Sequence, residues 1–133
     1  MKAFVEDVIE KYPLYRQEEA LYERCLEMRE NSAMRDKLAM LKLKISTIES
    51  WFVLLDVDER FIFRQTLNSN YLYIPAYSAA IARWMRLTAD TREAPWLLRE
   101  RAIGKITSFV SGHKELITSI FENNLGKTIL AIK

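Results

Sequence analysis

The stretch that decides the fold is residues 34–55, MRDKLAMLKLKISTIESWFVLL. Its apolar side chains recur at alternating spacings of four and three without a break. They are Met34, Leu38, Leu41, Ile45, Ile48, Phe52 and Leu55. Three heptads of this kind predict a helix that packs at a shallow angle against another helix. The partner is either the preceding segment folded back or a second copy of the chain, so the stripe serves packing or dimerisation.

Composition extends this prediction to the whole chain. Of 133 residues, 50% are hydrophobic and 29% are charged, a balance that can bury a core. Three glycines and three prolines are too few for a β fold with many turns. We therefore predict an all-α protein, with an N-terminal helical hairpin or coiled-coil-like segment followed by a helix-turn-helix bundle.

Helix-breaking and helix-capping residues set the predicted boundaries. Pro13 predicts a break, because proline disfavours the helical conformation at the residue before it. Asn31 or Ser32 can cap the next helix, and Asp56 with Glu59 fits a capping box. The predicted helices span residues 2–12, 14–29, 34–55, 58–68, 75–86, 91–110 and 113–123.

Spacing also predicts the inward-facing side chains of the later helices. We expect Phe61, Ile62 and Leu67 in the first of them, and Ile103, Ile106 and Val110 in the next, with Trp96 or Leu97 a turn or more earlier. The last helix is expected to bury Leu116, Ile117, Ile120 and Phe121. We divide the chain into a packing or dimerisation segment (1–55), a helix-turn-helix-like domain (56–112) and a C-terminal helix with its tail (113–133).

Several classes of site are excluded by what the sequence lacks. The single cysteine, Cys25, and the single histidine, His113, cannot form a disulfide framework or a cysteine-rich zinc site. There is no glycine-rich phosphate loop and no nucleophile with a plausible base, so we predict neither an enzyme nor a cofactor or metal. No apolar stretch approaches the roughly 18 residues that suggest a membrane span, and the start lacks the apolar run of a signal peptide. We expect a cytoplasmic protein with no membrane partner.

The net charge of +2 hides an uneven distribution. Residues 1–60 carry ten Lys or Arg and thirteen Asp or Glu, a net charge of −3, whereas residues 61–133 carry ten and five, a net charge of +5. Six cations fall on the two helices predicted around residues 75–110. Such a patch can contact a few phosphates but cannot bind nucleic acid tightly by electrostatics alone.

The sequence predicts the layout of a helix-turn-helix, in which a helix and a short turn are followed by a second helix. This second helix opens with Thr91 or Asp90 as its cap and continues with Arg92-Glu93. The first turns of the second helix read base edges in the major groove. Arginine there can pair with guanine through two hydrogen bonds, and a carboxylate can accept from the cytosine amino group.

Residues 91–106, TREAPWLLRERAIGKI, resemble the last helix of sigma factor region four, and still more the ArpU/RinA-type regulators of Gram-positive phages. Arg101-Ala102-Ile103 followed by Lys105-Ile106 matches the ending of that helix in these families. Residues 55–62, LDVDERFI, are similar to the opening of the same region, and Ala80-Ile81-Ala82 occupies the place of its Glu-Ile-Ala. The sequence departs from the families in lacking the turn glycine and in carrying Pro95 and Leu97.

The layout and the resemblance together imply a small DNA-binding transcriptional regulator of phage or prophage type. Under this hypothesis the partners are double-stranded DNA, a second copy of the chain and, as a further candidate, RNA polymerase. The expected base contacts are Arg92, Glu93 and Arg99, and the expected phosphate contacts are Arg83, Arg86, Arg101 and Lys105. The alternative is a helical protein–protein interaction adaptor that does not bind DNA.

Overall fold

The computed structural model describes residues 1–68 and 95–122. Their helices are α1 (Lys2–Met28), α2 (Ser32–Ser50), a 3₁₀ helix (Trp51–Leu54), α3 (Val57–Asn68), α4 (Pro95–Gly112) and α5 (Lys114–Phe121). These two ranges contain no strand, and the predicted all-α class is confirmed. The predicted helix over 75–86 and the apolar tail lie outside the described residues.

The first helix differs from the prediction, because α1 runs through Pro13 as one helix of 27 residues. Proline in a helix interior removes one backbone hydrogen bond and crowds the carbonyl four residues earlier. Here the helix carries buried side chains on both sides of the proline, with Val8 and Ile9 before it and Tyr15 after it. Packing on both sides holds the helical conformation, so the predicted break at residue 13 was wrong.

The turn between α1 and α2 is set by a side-chain cap. The Asn31 Oδ1 atom accepts a hydrogen bond from the Met34 amide at 3.1 Å, so the cap is Asn31 rather than Ser32. The two helices then pack as a hairpin. Across it, the Tyr12 hydroxyl donates to Glu49 at 2.9 Å and the Lys42 ammonium lies 3.0 Å from the Glu23 carboxylate.

The stripe of residues 34–55 packs within the chain. Its members Leu41, Ile45, Ile48 and Leu55 are buried in the common core, whereas Met34, Leu38 and Phe52 are half-buried. The predicted helix ends at Ser50 and continues as the 3₁₀ turn, which buries Trp51 completely. The folded-back α1 is therefore the partner of this stripe.

One core joins all the described helices. It contains Val5, Val8 and Ile9 of α1, Ile48 of α2, Trp51 of the 3₁₀ helix, Phe63 of α3, Ile103, Ile106 and Val110 of α4, and Ile117 of α5. The Phe121 ring lies 6.0 Å from the Phe4 ring and 6.4 Å from the Trp51 ring, centroid to centroid, and closes the core at the end of α5. The described parts of the three predicted segments thus share a single hydrophobic cluster.

The predicted inner stripe of α4 is correct in its second half only. Ile103, Ile106 and Val110 are buried, but Trp96 and Leu97 are 41% and 56% exposed, and Leu98 is buried instead. The buried row runs through Leu98, Ala102, Ile106 and Val110 at spacings of four. Because four residues exceed one helical turn, such a row drifts around the helix by about 40° per step. The drift carries the core face away from Trp96.

Smaller differences concern the neighbouring helices. In α3, Ile62 and Leu67 are buried as predicted, but Phe61 is only half-buried and Phe63 takes its place in the core. In α5, Ile117 and Ile120 are buried, whereas Leu116 is 47% exposed. Phe121 is half-buried against the core.

Candidate nucleic-acid interface

The start of α3 is fixed by the predicted capping box. The Asp56 Oδ1 atom accepts from the Glu59 amide at 2.8 Å, and the Glu59 Oε1 atom accepts from the Asp56 amide at 2.9 Å. The bond from the Glu59 amide is the main reason that the pKa of Asp56 lies below its ordinary value, and the charges of Lys105 and Arg101 act in the same direction. The reciprocal bonds give the chain a fixed entry into α3.

Glu59 also connects α3 to α4. Its side chain is completely buried, and the Lys105 ammonium donates to its Oε1 atom at 2.6 Å. The Arg101 Nε atom lies 3.7 Å from the Glu59 Oε2 atom, and Arg101 Nη2 lies 3.5 Å from Asp56 Oδ2. A buried carboxylate is tolerated only with compensating charge and hydrogen bonds. These two cations of α4 supply the charge.

This ion cluster changes the roles predicted for Arg101 and Lys105. Both side chains are a little under half exposed, so they reach the surface as expected. However, a DNA phosphate would have to compete for them with Asp56 and Glu59. If a phosphate bound these cations instead, the buried Glu59 carboxylate would be left without its cation, which is costly. We therefore assign both residues to holding α4 against α3, not to phosphate binding.

Arg99 does not fit its predicted role as a base contact. Its side chain is only 4% exposed, its Nη1 atom lies 3.2 Å from Glu100 Oε1, and its guanidinium lies 5.0 Å from the Trp96 ring centroid. A guanidinium must reach into a groove to pair with a base edge. The burial of Arg99 beside the core row of α4 leaves little surface for that contact, so the structure does not favour this prediction.

The other predicted contacts, Arg83, Arg86, Arg92 and Glu93, lie outside the described residues. The described chain resumes after them in the sequence with the first turn of α4. There Trp96 and Leu97 are exposed, and the helix becomes buried at Leu98.

Two exposed cations were missed by the sequence analysis. Arg60 and Arg64 lie one helical turn apart on α3, and both are exposed. The Arg60 Nε atom donates to the Phe52 carbonyl at 2.9 Å, and the Arg64 guanidinium carbon lies 5.8 Å from the Phe52 ring centroid. No carboxylate among the described residues forms an ion pair with either. The spacing of four between them on a predicted helix was the signal that could have identified them.

Comparison with known proteins finds no matching family model, no similar curated protein and no similar solved structure. The described helices include none that is long and apolar enough to cross a membrane. Across residues 1–68 and 95–122, no group of histidine, cysteine and acidic side chains could hold a metal ion.

Proposed function

We propose that the protein is a small DNA-binding transcriptional regulator that presents the start of the helix around Thr91 to the major groove. The observation that carries this proposal is the way in which α4 packs against the rest of the protein. The Glu59–Lys105 pair joins the helix to α3, its later residues are in the core, and its first described turn is exposed at Trp96 and Leu97. A helix whose later turns lie in the core and whose first described turn exposes Trp96 and Leu97 suits major-groove reading.

The proposed contacts follow from the site. Arg92 and Glu93 remain the base-reading pair, and Arg83 and Arg86 remain phosphate contacts. Arg60 and Arg64 replace Arg101 and Lys105 as further phosphate contacts. The proposed phosphate contacts therefore begin in α3. The phage-type regulatory role and RNA polymerase as a partner rest on the family resemblance alone.

A salt series tests DNA binding. Duplexes are selected from a random-sequence pool, and their affinity is measured by fluorescence anisotropy between about 50 and about 200 mM salt. Each lost phosphate contact should reduce the slope of log affinity against log salt by about one. Arg60→Ala/Arg64→Ala should therefore reduce the slope by about two. The control Arg24→Ala/Arg29→Ala, which removes two exposed cations from the hairpin, should leave the slope unchanged.

Base reading is tested separately with Arg92→Ala. This variant should lose preference for the selected sequence over a random duplex, because a bidentate arginine–guanine pair contributes about 1–3 kcal/mol of discrimination. If the wild-type protein selects no sequence from the pool, or binds with an affinity that salt does not change, the DNA-binding proposal is rejected.

One observation points to a protein-binding surface, which a dimeric regulator and the adaptor alternative would both use. Leu14, Leu21 and Met28 recur at spacings of seven along α1 and are 49%, 58% and 88% exposed. Residues seven apart lie on the same side of a helix. A row of large exposed apolar side chains is typical of a protein-binding surface. Since residues 34–55 pack within the chain, a homodimer would have to use another face, and we propose this row.

Sedimentation velocity tests the row. The wild-type protein should sediment as a dimer and Leu21→Glu as a monomer, while Ala20→Glu, an exposed neighbouring position, should remain dimeric. A monomeric wild-type protein, or equal behaviour of the two variants, would contradict the proposed dimer. Dimerisation together with a failed DNA selection would favour the adaptor.

A further inference from the structure

A cleft of about 410 Å³ lies along one side of the hairpin between α1 and α2. Tyr22, Met40 and Leu41 form its apolar lining, and Lys44 lies among its lining residues. This volume is near the lower end of the range of about 300–1,000 Å³ that is typical of small-molecule pockets. The cleft lies on the hairpin, whereas the proposed DNA-binding residues lie from α3 onward.

Lys44 is the unusual group in this cleft. The residue is only 8% exposed, and its Nζ atom lies 5.3 Å from the centroid of the Tyr15 ring. Among the described residues, no carboxylate forms an ion pair with it. Burial lowers the pKa of Lys44, and the charge of Glu18 opposes this shift only in part. The Lys44 side chain is mostly buried and no described anion pairs with its ammonium, so a bound anion would supply that partner.

The remaining lining residues restrict the kind of anion. Glu18, Asp36 and Lys37 also line the cleft, so with Lys44 the lining carries two carboxylates and two ammonium groups and offers no net positive charge to a ligand with several negative charges. Met40, Leu41 and the Tyr22 ring offer apolar surface beside the ammonium, which favours a ligand with an apolar body. A single negative charge on a short hydrocarbon or aromatic skeleton meets both conditions.

We propose that the α1–α2 cleft binds a small amphipathic monoanion, whose carboxylate pairs with Lys44 and whose apolar part contacts Met40 and Leu41. This site is independent of the proposed DNA binding. Because the cleft is built entirely from the hairpin, a negative result for DNA would not affect it.

Fluorescence of 8-anilinonaphthalene-1-sulfonate, an apolar monoanion, tests the proposal on the full chain, and octanoate serves as the competitor. Octanoate should displace the probe, whereas octanol and octylamine, which share its tail, should compete poorly. Lys44→Gln should weaken binding of both probe and octanoate by about tenfold, the loss expected for one charge-assisted hydrogen bond. Lys44→Arg should retain most of the affinity.

Lys42→Gln is the matched control, because Lys42 is an exposed lysine of the same helix that pairs with Glu23 outside the cleft. Its affinity should equal that of the wild type. Met40→Glu is a second variant that places a carboxylate on the lining, and it should also weaken octanoate binding. Near-ultraviolet circular dichroism verifies that each variant is folded. Equal binding by the wild type and Lys44→Gln, equal competition by octanol, or stronger competition by octylamine would overturn the proposal.

Discussion

At the scale of single residues, the carboxylates of Asp56 and Glu59, three positions apart, have different structural roles. The Asp56 side chain is half exposed and caps α3, while the Glu59 side chain is buried and neutralised from α4. The sequence predicted the capping box, because its spacing is local. It could not predict the burial of Glu59, because that depends on where Arg101 and Lys105 lie after α4 has packed. For this reason the sequence alone assigned Arg101 and Lys105 to phosphate contacts and not to the ion cluster around Glu59.

The cap gives the first prediction. Asp56→Ala should lower the free energy of unfolding by about 1 kcal/mol, since alanine cannot accept the hydrogen bond from the Glu59 amide. Asp56→Asn retains an acceptor and should lose less. Urea denaturation at neutral pH measures both variants. An Asp56→Ala protein as stable as the wild type would show that the cap contributes nothing in solution.

The same residue has a defined pH dependence. The pKa of Asp56 is lower in the folded protein than its ordinary value of 3.8, so its ionised form stabilises the fold above that pH. This contribution is lost as the pH falls through the folded-state pKa. Asp56→Asn lacks the titrating group, so its stability difference from the wild type should shift in its favour between about pH 6 and about pH 3. A difference that is constant with pH would contradict the assignment.

A third residue-scale prediction concerns Lys105. Lys105→Met should lower the free energy of unfolding by on the order of 2 kcal/mol, because the buried Glu59 carboxylate loses its closest cation. Adding Glu59→Gln to that variant removes the buried charge and should restore part of the loss. Lys114→Met, which removes an exposed cation of α5, is the control. If Lys105→Met left stability unchanged but weakened DNA binding, the phosphate role would be reinstated.

At the scale of helices, apolar periodicity predicted that a helix exists better than it predicted where the helix begins and ends. The uninterrupted pattern of residues 34–55 located α2, and the capping signals at Asn31 and Asp56 located two helix starts. The predicted break at Pro13 was wrong because a local preference was outweighed by burial on both sides of it. The face of α4 was misjudged because Trp96 and Leu98 both fit the edge of its apolar stripe, and only the packed neighbours decide between them.

Pro13→Ala tests the continuity of α1. Proline in a helix interior costs about 3 kcal/mol relative to alanine, and part of this is offset because proline also restricts the unfolded chain. The variant should therefore be more stable by on the order of 2 kcal/mol in chemical denaturation. Ala20→Pro, at an exposed position of the same helix, should destabilise the protein by about 3 kcal/mol or more. A Pro13→Ala protein that is less stable would indicate a break in α1.

The register of α4 can be tested with two neighbouring leucines. Leu98 is 1% exposed and Leu97 is 56% exposed. Leu98→Ala should cost about 2–5 kcal/mol because it opens a cavity in the core. Leu97→Ala should change stability by no more than about 0.5 kcal/mol. The reverse order in thermal or urea unfolding would mean that α4 is rotated relative to the described arrangement.

At the scale of the whole molecule, charged residues of the acidic first half and the basic second half of the sequence pair with each other in the folded chain. The acidic first half supplies Asp56 and Glu59, which neutralise Arg101 and Lys105 of the basic second half. In the other direction, Lys2 lies 2.7 Å from Glu100 and ties the start of α1 to α4. Charge counted along the chain therefore overstates the cationic surface available to a nucleic acid, and the proposed DNA binding depends mainly on the four predicted contacts beyond the described residues.

The shared core predicts that the chain unfolds as one unit. Ile9 of α1 and Ile106 of α4 are almost completely buried in the same cluster, although they belong to different predicted segments. Ile9→Ala and Ile106→Ala should each cost about 2–5 kcal/mol. In both variants, urea transitions followed by far-ultraviolet circular dichroism and by tryptophan fluorescence should coincide, as expected for two-state unfolding. The control Val53→Ala, at a largely exposed position, should leave the midpoint nearly unchanged. If Ile9→Ala displaced one transition while the other stayed in place, residues 1–55 would be an independent domain, and the hairpin could act without the helices that follow it.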